Sequence, residues 1–144
     1  MTVISTGQNF VRPHGIAIDQ GAPFFPANEP GGIRVTDLSA NAAILVDVNL
    51  PSGANQTVES VAQNFSFASG ITIGAWPAFP TPFYVADYGA RAVIEYDPTL
   101  AANENQTVIS AGGLFAGPAR LTVVPDQPVQ TENETWGGIK GLYR

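Results

Sequence analysis

The sequence contains no cysteine, a single histidine and a single methionine. Without cysteine there are no disulfides, no thiolate metal sites and no cysteine nucleophile. One histidine per chain, His14, cannot build a three-ligand zinc site, and any nucleophilic triad would have to use it. Charge is also scarce: 12% of residues are charged, and six Lys+Arg face twelve Asp+Glu for a net charge of −6. An acidic chain repels phosphate backbones and anionic lipid, so nucleic acid and membrane insertion are not expected as partners. No apolar run approaches the ~20 residues of a membrane helix, and Ala42 to Val46 is a short run of strand length. The N-terminus lacks the basic-then-apolar pattern of a signal peptide. The missing cysteine leaves the compartment open, and extracellular or periplasmic is the working expectation. There is no Gly-x-Ser-x-Gly elbow, phosphate loop, His-Glu-x-x-His, dinucleotide fingerprint or Asp-x-Asp-x-Asp-Gly calcium loop. No cofactor is implied.

What is present is turn chemistry and repetition. Fifteen Gly and twelve Pro in 144 residues favour frequent turns over long helices, and 44% hydrophobic residues suit a packed core in one domain. Thr2-Val3-Ile4-Ser5, Thr57-Val58-Glu59-Ser60 and Thr107-Val108-Ile109-Ser110 open three copies of one pattern. Each is followed by an aromatic (Phe10, Phe65, Phe115) and then by an apolar strand starter (Ile16, Ile71, Leu121). Asp37 to Thr57 lies over Asp87 to Thr107 without a gap, at an offset of 50, and the earlier part of the unit is offset by 55. The units span about 2–56, 57–106 and 107–144, and Gly137-Gly138-Ile139-Lys140 echoes Gly31-Gly32-Ile33-Arg34 in the third. Asn55, Asn64, Asn105 and Asn133 each begin a glycosylation-type triplet. A polar turn before a strand is the preferred reading of these triplets.

Each full copy reads as four strands. The first strands are expected at Gly15 to Asp19, Gly70 to Gly74 and Arg120 to Val124. The second are expected at Gly32 to Thr36, Phe83 to Ala86 and Ile139 to Tyr143. The third are Ala43 to Val48 and Ala92 to Tyr96, and the Thr-Val segments are the fourth. Ile16/Ile18 and Ile71/Ile73 alternate with small or polar residues at the period of a strand. A period of about 50 residues with four strands per copy predicts an all-β chain of β-propeller blades.

The run Phe10-Val11-Arg12-Pro13-His14-Gly15-Ile16-Ala17-Ile18-Asp19, with Phe83-Tyr84-Val85-Ala86-Asp87-Tyr88-Gly89-Ala90-Arg91-Ala92-Val93-Ile94, resembles the NHL-type β-propeller repeat. The resemblance spans nearly the whole chain. It implies the propeller fold and leaves function open, since the family includes lyases, binding scaffolds and adhesive modules. The Asp that ends the first strand becomes Gly74 and Val124 in the later copies, and Tyr-Val-Ala-Asp stands intact only at Tyr84 to Asp87.

The strands amount to about 2.75 four-stranded blades, whereas closed propellers have roughly 4–8. Completion is therefore expected from outside the chain. A homodimer closing a ring is preferred, with a longer propeller or an open filament as alternatives. The expected oligomer contacts are Thr2, Val3, Ile4, Trp136, Ile139, Leu142 and Tyr143.

Turns before the first strand and between the second and third strands belong to one face of a propeller. That face would collect Arg12, His14, Asp37, Asp87, Tyr88, Arg91 and Arg120, and the candidate ligand contacts are Arg12, His14, Asp87, Tyr88, Arg91 and Arg120. Its arginines suit an anionic group. Asp37 and Asp87 also read as turn caps, and Arg91 as a structural turn residue. Ser69 and Ala119 stand where the first copy has His14, so the repeat itself does not require histidine there. Phe10, Phe65 and Phe115 are expected as plugs between blades, while Phe24, Phe25, Trp76 and Phe79 would lie on the opposite face. The leading expectation is a non-enzymatic module for self-assembly and for binding a protein or glycan. A propeller lyase or hydrolase using His14 and Arg91 is the alternative, and a filament-forming structural protein is a third.

Overall fold

A computed structural model describes residues 2–19, 32–74, 82–113 and 115–122. Among the described residues the chain is all-β, with eight strands and no helix. β1 (Pro13–Asp19), β2 (Gly32–Asp37), β3 (Ala42–Val46) and β4 (Gln56–Val61) form one antiparallel sheet in chain order. β5 (Ala68–Ile73), β6 (Phe83–Asp87), β7 (Ala92–Tyr96) and β8 (Gln106–Ala111) form a second sheet in the same order. The sheets are built alike because the sequence is. Ile16 pairs with Val35 and Val35 with Ile44, just as Ile71 pairs with Val85 and Val85 with Ile94.

The turns are fixed by the repeated polar residues. The Asp37 carboxylate is fully buried and accepts from the backbone N–H groups of Val11, Arg12, Ser39 and Ala40. Asp87 does the same for Ser66, Phe67 and Ala90. Both carboxylates tie the turn before the inner strand to the hairpin after the second strand, which brings these two turns to one side. The hairpins need a left-handed residue, supplied by Asn41 (φ 49°) and Arg91 (φ 51°).

Alternation along the strands gives each sheet two faces, and the core lies between the sheets. The second sheet contributes Ile71, Phe83, Val85, Ile94 and Tyr96 from one face, Phe65 of the β4–β5 connection joins them, and the first sheet answers with Ala17 and Ala43. Removing each large side chain from water stabilises the contact by about 1.5–3 kcal/mol. A polar cluster crosses the same interface. Arg34 (3% exposed) donates from Nε to Glu59 (8% exposed) at 3.1 Å, and the Tyr96 hydroxyl donates to Glu59 at 3.0 Å. The Arg34 guanidinium lies 4.3 Å from the Phe83 ring centre, and Phe83 stacks on Tyr96 with centroids 5.3 Å apart. A β-bulge in β4 beside Val58 and Ser60 sets Glu59 apart from the regular alternation.

A second device joins the sheets and occurs twice. The Ser60 hydroxyl donates to Asn105 Oδ1, Gln106 Nε2 donates to Ser60 Oγ, and Asn64 N donates to Gln106 Oε1. One unit earlier, Ser5 donates to Asn55, Gln56 donates to Ser5, and Asn9 N donates to Gln56. The Asn-Gln pair that begins each outer strand thus clamps the Ser that ends the previous Thr-Val segment. Asn55 and Asn105 are buried with their amides engaged, in keeping with the turn reading of these triplets.

Three expectations are corrected. Thr2 to Ser5 is not a strand: among the described residues no neighbouring strand pairs with it, and side-chain bonds with Asn55 and Gln56 hold it instead. Arg120 to Thr122 carries no strand either, and the residues expected to pair with it, 139–143, lie outside the described residues. Of the three repeated aromatics only Phe65 is buried; Phe10 and Phe115 are half-buried, because among the described residues Phe65 alone has a complete sheet on each side.

Candidate ligand-binding site

The inner strands β1 and β5 begin with a bulge, and in each the extra residue is the one that changes between copies. Pro13 pairs with Asp37 and Gly15 with Thr36, so His14 is the bulged residue; Ser69 is its equivalent between Ala68 and Gly70. Bulges re-aim side chains, and here both side chains reach toward the next unit. His14 Nδ1 lies 3.0 Å from the Ser69 carbonyl oxygen, and Ser69 Oγ lies 2.9 Å from that of Pro118. A carbonyl only accepts, so Nδ1 carries the proton and neutral His14 presents Nε2 as an acceptor.

Glycines let these strands approach one another. A Cβ on Gly15 would meet Gly70 Cα at 2.9 Å, and one on Gly70 would meet Arg120 Cα at 2.9 Å and the Ala119 carbonyl at 2.6 Å. At the equivalent third position the chain has Arg120 in place of glycine.

Two adjoining depressions open at this end of the sheets and share His14, Ser69 and Ala119. One, of about 390 Å³, runs along the inner strands past Gly15 and Gly70 to Arg120 and Leu121. The other, also about 390 Å³, is walled by Arg12, Leu38, Phe67 and Tyr88. The basic side chains lining them are Arg12, Arg120 and His14, and among the described residues no carboxylate lines them. Among the described residues neither Arg12 nor Arg120 forms an ion pair. Phe67 and Tyr88 are half exposed, at 50% and 56%.

Of the ligand contacts expected from the sequence, Arg12, His14, Tyr88 and Arg120 come together here. Asp87 does not line the depressions, because its buried carboxylate is filled by backbone donors. Arg91 is exposed at the hairpin, outside the lining, and its carbonyl accepts from Gly112 N. Asp37 is buried in the same manner as Asp87. Of the expected oligomer contacts, Thr2, Val3 and Ile4 are exposed, and Trp136, Ile139, Leu142 and Tyr143 lie outside the described residues, as do Phe24, Phe25, Trp76 and Phe79. Sequence reasoning missed Phe67 and Leu38. They stand at the repeat positions of Arg12 and Tyr88, and that equivalence was the available signal.

Among the described residues no three His, Cys, Asp or Glu side chains gather as a metal site. No family model, curated protein or solved structure matches the chain.

Proposed function

We propose that the chain is a β-propeller-type module that joins further copies of its own repeat unit, most simply as a homodimer closing a ring. Its function in this reading is binding and assembly rather than catalysis, with the face bearing Arg12, His14, Tyr88 and Arg120 presented to a protein or glycan. One observation carries the reading. Ile71 and Ile73 of the second sheet pack in the core beneath the first sheet. Their counterparts Ile16 and Ile18 lie on the same face of the first sheet, and they are 63% and 67% exposed. Val35, Ile44 and Val46 on that face are buried, so the opening lies along β1, and a strip sealed by a neighbour in one copy and open in the next calls for the same kind of neighbour.

The contact joins the front of one unit to the back of another, so it is heterologous. Such contacts close into rings when the rotation allows and otherwise extend into filaments, which electron microscopy distinguishes. Replacing Ile16 and Ile18 by Ser is expected to shift sedimentation toward the monomer without loss of β-structure by circular dichroism. An unchanged sedimentation profile would contradict the assignment of this face.

A further inference from the structure

We infer that the depression between Arg12, His14, Phe67 and Tyr88 binds a carboxylate carried on a flat ring. The inference deepens the proposal that this face takes a ligand, and it does not depend on self-association, since all four residues belong to one chain.

The charge comes first. The chain carries −6 overall, yet the groups lining the depressions are two guanidiniums and an imidazole. Asp37 and Asp87 are buried and held by backbone N–H groups, and neither forms an ion pair with the Arg12 guanidinium. A guanidinium without a protein partner presents a planar fork that fits a carboxylate. His14, held through Nδ1 by the Ser69 carbonyl, has Nε2 left over to accept a hydrogen bond.

The ring requirement comes from the other wall. Phe67 and Tyr88 are large aromatics left half exposed. Tyr88 is backed by Gly117, where a Cβ would meet its ring Cε2 at 2.5 Å, and its backbone N–H is bonded to the Phe67 carbonyl. Phe67 is backed in turn by Gly89, where a Cβ would meet its ring Cδ2 at 2.5 Å, and both rings leave surface to solvent, which suits stacking of a planar or flat-faced group. A volume of about 390 Å³ suits a ring-sized ligand rather than a bare ion.

The chemistry is shared by aromatic acids and sugar acids, and the test separates them. The full chain would be titrated with benzoate, glucuronate, glucose and inorganic phosphate by calorimetry, with its mass recorded in parallel. At least one of the two ring carboxylates should bind tenfold or more tightly than both glucose and phosphate, and whichever binds identifies the ring. Arg12→Phe and Tyr88→Leu should each weaken that binding at least tenfold. Each substitution installs the residue found at the equivalent position of the other unit, so the fold has already accommodated it. Glucose binding as well as glucuronate would leave a ligand-binding face in place and overturn the carboxylate. Phosphate binding equally well would overturn the ring. Failure of both ring acids to bind, or binding unchanged in both variants, would overturn the site.

Discussion

Tyr96 is fully buried with its hydroxyl donated to Glu59, and burial first, then the Glu59 charge, pushes its phenol well above the usual range. The unfolded chain releases that proton near pH 10. Above this pH the unfolded state therefore binds fewer protons than the folded state, and stability falls as pH rises until the folded value is passed. Tyr96→Phe is expected to flatten this alkaline loss in urea titrations between about pH 9 and 11, at a neutral-pH cost of about 0.5–1.5 kcal/mol for the lost hydrogen bond. An unchanged alkaline slope would place the proton elsewhere. Glu59 is a partner of the buried Arg34, and Glu59→Ile takes its half of that buried ion pair away. A loss of about 3–5 kcal/mol is expected. The double variant with Arg34→Met should recover more than half of it, leaving the cost of an unpaired Tyr96 hydroxyl. Ile109 already occupies the position equivalent to Glu59 in the second unit, so the backbone accepts isoleucine there. The network was not legible in the sequence because its members do not repeat: Arg34, Glu59 and Tyr96 align with Tyr84, Ile109 and Val46. It is specific to one junction, and only the packing brings it together.

At the scale of strands and turns the sequence was far more informative. Period-2 alternation and the 50-residue offset placed all eight strands of the described residues within one or two residues of their observed ends, since each strand repeats a composition and β2 and β6 repeat a burial pattern as well. The Asn-Gln pairs were visible as a recurrence, but their clamp was not. Its partner Ser lies 50 residues or so away, and nothing local announces it. The inner-strand glycines belong to this scale. Gly70→Val would drive a side chain into the backbone of Ala119 and Arg120. It is expected to loosen the start of the third copy, read as faster amide exchange at residues 115–122. Gly53→Val, where a Cβ meets nothing within 4 Å, is the control expected to change nothing there.

For the whole molecule, the two sheets are joined by three repeated means: an apolar face, an Asn-Gln clamp and a glycine contact. Among the described residues the first two each have an unmatched counterpart. The apolar face continues to exposed Ile16 and Ile18, and the clamp ends at exposed Ser110. The sequence made the repeat legible. It did not show which side chains carry the joint, because that depends on face orientation at bulges such as those at His14 and Glu59. The account rests on these open faces recruiting another copy. The most direct test is the solution mass of the unaltered chain by light scattering at micromolar concentration. Twice the chain mass of 15.1 kDa, or a higher whole-number multiple, is the expected result. A dispersed monomer that persists as concentration rises would contradict it.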